Sequence, residues 1–247
     1  MYKRFEVGMM ALAKQAGWQE YAYNAGLIAL SCLLIICVVI AEGESRLVTA
    51  ELIAKAKQTF GGSIQETLEG WGQSLQESQQ ESELDKLSQI NNYFNRRIAF
   101  KSDLSHWNKE DYWATPLETL ASSGGDCEDY VIAKYFSLIH AGVDQKKLRI
   151  TYVKALRLNQ AHMVLAYYPK PKADPLILDN LIGQIKHASR RRDLSPVYSF
   201  NGYGMWLERM KGGSIKVGDP NRLNMWTDLL LRMEEQGLQV LLANPNQ

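Results

Sequence analysis

The first third of the chain places apolar residues at helical spacing. Leu52, Ala56 and Phe60 fall at i, i+4, i+8; Leu68, Trp71 and Leu75 at i, i+3, i+7; Leu84, Leu87, Ile90 and Phe94 continue the stripe. Residues 45–95 are therefore predicted to be helices, with Trp71 in their core and Gly61-Gly62 ending the first. The stretch 73–83, rich in Gln, Glu and Ser, reads as a solvated helix face or a loose connection. Farther on, Thr115-Pro116-Leu117-Glu118 has the form of a capping box with proline in the first turn, so a helix opens there and ends by 122–125. Another opens at Asp126 or Cys127, with Asp129 at the reciprocal capping position and Gly142 as its stop. Its apolar face is Val131, Ile132, Tyr135, Phe136 and Ile139. Cys127 shares that face with Val131 and Tyr135, so the thiol points inward at the start of a buried helix.

The pattern then changes. Residues 148–158 are rich in β formers, 161–168 form a compact apolar run and 176–179 another. Pro169, Pro171 and Pro175 lie between the last two, which predicts a hairpin with a wide loop. Residues 201–218 are Gly-rich and read as irregular, and an amphipathic helix at 225–235 closes the chain. Helices first and strands after predict an α+β fold, with helices packed against an antiparallel sheet.

One segment departs from the ordinary globular composition of these 247 residues. Residues 21–41 carry no charge and 27–40 are almost purely aliphatic, with Lys3, Arg4 and Lys14 upstream and Glu42 and Glu44 just after. This reads as a secretory signal or an N-terminal membrane anchor whose positive end stays in the cytoplasm; Val39-Ile40-Ala41 permits cleavage after Ala41. A buried core helix is the alternative, but the segment has no polar face. Of 28 basic and 27 acidic residues, three and two precede Glu42, so the remainder is neutral. That balance argues against nucleic acid as the main partner, because phosphate binding calls for a basic surplus.

Export changes the meaning of the cysteines. Cys32 and Cys37 lie in the apolar segment, which leaves Cys127 alone in the exported body. A lone thiol in an oxidising compartment is either a buried spectator or a nucleophile. Among the four histidines, His162 is the one inside a predicted apolar strand, where its ring needs a partner. If 161–168 and 176–179 pair as a hairpin, His162 and Asp179 are cross-strand neighbours to within one register step. His187, in the basic stretch 186–192, reads as part of a solvated loop. Cys127, His162 and Asp179 together supply a nucleophile at a helix N-terminus, where the dipole favours thiolate, an acid–base imidazole and a carboxylate to orient it. The rival reading is a core cysteine, a core histidine and an aspartate that ends a strand.

Four motifs then stand in order: Asp111-Tyr112-Trp113-Ala114-Thr115-Pro116, Gly125-Asp126-Cys127-Glu128-Asp129-Tyr130, Ala161-His162-Met163-Val164-Leu165 and Leu178-Asp179-Asn180. The chain resembles the bacterial transglutaminase-like cysteine proteinases, most like the periplasmic members that release large biofilm adhesins. The resemblance covers roughly residues 85–240 and the membrane-directed N-terminus. It implies a papain-like or transglutaminase-like fold and a catalytic triad of Cys127, His162 and Asp179. It also implies calcium dependence, with Asp126 and Glu128 at ligand positions and Asp129 a third. On the residues alone these carboxylates are helix capping or hard oxygen ligands. The implied substrate is the N-terminal region of a large secreted adhesin, and the implied regulator an inner-membrane cyclic-di-GMP receptor. The expected organisation is a signal or anchor over 1–41 and one periplasmic domain over 42–247, with a helical part at about 45–100 and a catalytic core at about 101–240. Two rivals stay open: an acyltransferase or cell-wall amidase on the same scaffold, and a non-catalytic interaction domain.

Overall fold

Helices α1 (Ala50–Phe60), α2 (Ile64–Gln79) and α3 (Glu83–Arg97) form the predicted N-terminal layer. The computed structural model describes residues 47–208 and 213–238, so the apolar segment at 21–41, with Cys32 and Cys37, lies outside the described residues. Among the described residues no helix is long and apolar enough to cross a membrane. The Thr49 hydroxyl caps α1 by accepting from Leu52 N, and Gly61, at φ +89°, ends it in a conformation that L side chains rarely adopt. The 73–83 stretch is mostly ordered helix rather than a loose connection. α2 runs through it to Gln79 and buries Ser74 and Ser78, and Ser82 then caps α3. Trp71 is fully buried and donates from Nε1 to Ser137 Oγ at 3.0 Å. Leu84 departs from the predicted stripe at 57% exposure; the buried face of α3 is Leu87, Ile90 and Phe94.

Next come β1 (Ala99–Phe100), α4 (Asp103–Trp107), α5 (Pro116–Ser122), β2 (Gly124–Gly125) and α6 (Cys127–His140). β1 and β2 make a short parallel pair. The α5 capping box is present in both halves, with Thr115 Oγ1 accepting from Glu118 N and Glu118 accepting from Thr115 N. α6 is the central helix, buried on every side from Glu128 to Leu138 and packed against α3, α5 and the sheet. It ends where Gly142, at φ +86°, lets Val143 N reach back to Leu138 O.

Among the described residues the sheet has seven antiparallel strands: β3 (Leu148–Ala155), β4 (Gln160–Tyr167), β5 (Leu176–Leu178), β6 (Lys186–His187), β7 (Leu194–Asn201), β8 (Gly204–Glu208) and β9 (Ser214–Gly218). Their order is β6-β5-β4-β3-β7-β8-β9. β4 reads as an unbroken apolar run because both of its faces are covered. Met163, Leu165 and Tyr167 join the helical core, while Val164 and Ala166 join a smaller cluster with Val153 and Ile177. The region 201–218 departs from the irregular reading: β7, β8 and β9 form a meander there. Its edge strands expose Leu207, Ile215 and Val217, so no simple apolar alternation marked them in the sequence. Helix α7 (Asn224–Glu235) closes the fold as expected and buries Trp226, Leu229 and Met233.

Candidate active site

Three structural pieces position the predicted residues. Cys127 is the first residue of α6, partly buried, with the backbone N–H of Met163 directed at its sulfur. That N–H belongs to the residue after His162 on β4, so packing of α6 on the sheet brings the thiol to the strand segment that carries the imidazole. His162 and Asp179 do meet: Nε2 lies 2.8 Å from Asp179 Oδ1, with both side chains buried. The β4–β5 register sets Leu165 against Leu178, which places Asp179 across from Val164. His162 and Asp179 are thus diagonal neighbours on one side of the hairpin rather than directly opposite, a distance an imidazole spans. The expected pairing survives because the slip preserves side-chain parity.

The Asp179 carboxylate is saturated. Oδ1 also accepts from Leu181 N at 3.0 Å, and Oδ2 accepts from Arg191 Nη2 at 2.6 Å. Although burial pushes its pKa upward, His162 and Arg191 outweigh that and hold it at about 2. Arg191 was missed in the sequence, where 186–192 read as a solvated loop. Lys186 and His187 instead form the edge strand β6, and Arg191 is buried.

The thiol behaves otherwise than the helix-dipole reading predicted. It donates to Glu128 Oε2 at 3.0 Å rather than to the imidazole, and burial, reinforced by the Glu128 and Asp126 carboxylates, pushes its pKa up. Around the α6 N-terminus the acidic groups converge further than the sequence indicated. Donor atoms within 4.8 Å of one another group Asp103 with Asp111 and Glu128, Asp103 with Asp126 and Asp129, and Asp126 with Cys127 and Glu128. Asp103 opens α4, and Asp111 stands in the Asp111-Tyr112-Trp113 motif without having been read as a ligand. Burial together with neighbouring carboxylates raises Asp103 to about 6 and Asp126 to about 8, and raises Glu128 and Asp129 as well.

Asp129 has a second duty. Its Oδ1 accepts from Ala114 N at 2.8 Å and its Oδ2 from Asp126 N at 3.2 Å, which ties the 111–116 motif to the nucleophile helix. Gly125 is required for this approach, since a Cβ there would stand 2.5 Å from Asp129 Oδ2. Arg232 of α7 secures the same motif by donating to Trp113 O at 2.6 Å and Glu118 Oε2 at 2.7 Å. Asp103 Oδ1 and Asp126 Oδ1 are buried without a hydrogen-bond partner. Buried hard oxygens at this spacing suit a divalent cation with ligand distances of about 2.3–2.6 Å.

A thiol at the N-terminus of a buried helix, packed on an antiparallel sheet that carries a histidine–aspartate pair, is the layout of a papain-like cysteine hydrolase. Residues 65–192 match the model of the bacterial transglutaminase-like cysteine proteinase family. Solved structures agree. LapG of Legionella pneumophila in its EGTA-treated form is 40% identical, with a TM-score of 0.66, over 76% of this chain and 99% of that one. The calcium-bound LapG is 40% identical, with a TM-score of 0.64, over 75% and 99%. The chain therefore belongs to the bacterial transglutaminase-like cysteine proteinases, and it has the family's α+β fold and cysteine protease character. No curated protein sequence matches it.

Proposed function

We propose that the protein is a calcium-dependent periplasmic cysteine endopeptidase with Cys127, His162 and Asp179 as its triad, and that it releases a large adhesin from the cell surface by cutting the adhesin's N-terminal region. The observation that carries the reading is the buried His162–Asp179 hydrogen bond, one residue from the Met163 N–H that reaches the Cys127 sulfur. On substrate binding the thiol gives up Glu128 and passes its proton to His162, a tightening common between free and substrate-bound sites. Cys127 thiolate forms a bond to the scissile carbonyl carbon, and the Cys127 backbone N–H holds the oxyanion at the helix start. His162 imidazolium donates its proton to the departing amine as the C–N bond breaks. His162 then takes a proton from water as the water oxygen bonds to the thioester carbon, and returns it to the Cys127 sulfur as the C–S bond breaks and the acid product leaves.

Asp126 and Glu128, with Asp129, Asp103 and Asp111 adjoining, would hold the calcium, consistent with the calcium-bound form known for LapG. When bound, the ion supplies positive charge that offsets the acidic cluster beside the thiol. The substrate class and control by an inner-membrane cyclic-di-GMP receptor follow from the motif resemblance. Residues 21–41 would act as the signal or inner-membrane anchor.

The test mixes the protein, wild type and Cys127→Ala, with the N-terminal fragment of a candidate giant adhesin, with calcium and with chelator. A discrete calcium-dependent cut lost in Cys127→Ala is expected. Amine incorporation or muropeptide release without that cut would reassign the protein as an acyltransferase or amidase. Wild-type behaviour of Cys127→Ala in every assay would make it an interaction domain.

A further inference from the structure

Asp179 is held from two directions by groups far from it in sequence. On its side-chain side, Arg191 Nη2 donates to Oδ2 at 2.6 Å, and the guanidinium is itself braced by Asp193, through Nε to Oδ1 at 3.0 Å and Nη2 to Oδ2 at 2.8 Å. On its backbone side, Asn95 Nδ2 of α3 donates to Asp179 O at 2.8 Å, while Lys134 Nζ of α6 donates to Asn95 Oδ1 at 2.7 Å. The charged groups facing the His162–Asp179 pair are therefore Arg191 and Asp193 from the turn before β7 and Lys134 from α6. His162, Asp179 and Arg191 are each at most 3% exposed, so water contributes little to the charge balance.

We propose that Arg191 is a positioning residue of the site: it fixes the Asp179 carboxylate in the plane His162 needs and supplies the permanent counter-charge that keeps it ionised. The inference rests on the triad reading above and extends it to a fourth side chain. A buried carboxylate without a counter-charge takes up a proton or forces its neighbour to carry one. Arginine does not release its proton in proteins, so this pairing holds over the whole working pH range. Its planar fork also spans Asp179 and Asp193 at once, which the single ammonium of lysine does with less directional control. Arg191 thus leaves His162 free to gain and lose a proton in turnover instead of being locked as the permanent partner of Asp179.

The test is NMR titration of the His162 ring in the full chain, with wild type and Arg191→Met compared and the resonance assigned by its loss in His162→Gln. Cleavage kinetics on the adhesin fragment accompany it. In Arg191→Met the His162 ring signal is expected to titrate at higher pH than in wild type, as the stranded carboxylate holds the imidazolium. kcat is expected to fall about tenfold or more at unchanged KM. Arg191→Lys keeps the charge in the core. It is expected to restore the His162 titration while recovering only part of kcat, and it carries the test should Arg191→Met not fold. An unshifted His162 titration with wild-type kcat in Arg191→Met, or wild-type kcat in Arg191→Lys, would overturn the inference and leave a purely structural ion pair. Failure of the triad reads differently: Asp179→Asn and His162→Gln would then retain activity whatever Arg191 does.

Discussion

Two buried polar clusters serve this site, and they handle charge in opposite ways. At the α6 N-terminus Asp103, Asp111, Asp126, Glu128 and Asp129 gather like charges, and burial with mutual repulsion raises the carboxyls of Asp103, Asp126, Glu128 and Asp129. Along β4 and β5 the array His162–Asp179–Arg191–Asp193 alternates sign, and Asp179 stays ionised with its pKa held at about 2. Each centres on a fully buried carboxylate, Asp129 in the first and Asp179 in the second, so burial is not what separates them. The chain supplies the second cluster's counter-charge from its own arginine, whereas among the described residues no ion pair reaches the first, which presents unpartnered oxygens. An internally balanced cluster is finished by folding; an unbalanced one is finished by a ligand.

The strongest challenge to this contrast is Asp179→Asn, which unbalances the compensated side. Activity is expected to fall by about 10²–10⁴-fold. Stability should drop by about 3–5 kcal/mol as Arg191 loses its buried partner, read from denaturant midpoints. A protein as active and stable as wild type would erase the distinction.

Next in size is cation removal. Calcium at about a hundredfold excess over its dissociation constant should add about 3 kcal/mol relative to chelated protein. That is a rise of about 6–12 °C in Tm for a domain of this size. Asp126→Asn with Glu128→Gln should abolish the rise while making the chelated protein more stable, because repulsion is relieved. A calcium-independent Tm in the wild type would show that the cluster is not a cation site.

Gly125→Ala is smaller. Its added methyl displaces Asp129 from Asp126 N and Ala114 N, at about 1–3 kcal/mol. The calcium-induced rise in Tm should shrink with it, and an unchanged response would separate Asp129 from the acidic cluster.

The pH dependence of stability has opposite signs in the two clusters. Asp103 and Asp126, raised to about 6 and 8, hold protons in the folded state that the unfolded chain has released. Without calcium, stability should therefore increase as pH falls from about 7 to 4. Asp179, lowered to about 2, contributes stability that is present above the unfolded value and lost as pH falls through about 4 towards 2. Melts across pH with chelator should show that turnover, and calcium should reverse the upper branch because protons compete with it for the carboxylates.

Particular residues show what was legible beforehand. The Thr115–Glu118 capping box, the Gly142 stop and the Trp71 core position are written in residues a few places apart, where local geometry decides. The His162–Asp179 pairing was readable because a hairpin converts sequence distance into a nearly fixed register. The β7–β9 meander was not, since β8 and β9 lie at the exposed edge of the sheet with apolar residues left in solvent. Asp103, Asp111 and Arg191 also escaped. The first two come from a short helix and a loop, and the third from a basic run that looked like any solvated one.

The sequence by itself determined the N-terminal helices, the strands β3 to β5, the thiol at a helix start and the motifs that carry the family resemblance, because each depends on spacing within one element or across one turn. Only the tertiary structure decided which charges meet. Arg191 reaches Asp179 through the fold of the segment before β7, and Asp103 and Asp111 reach Glu128 through the packing of α4 and its following loop against α6. A side chain's electrostatic worth depends on the distance and burial of its partners, and a linear pattern specifies neither.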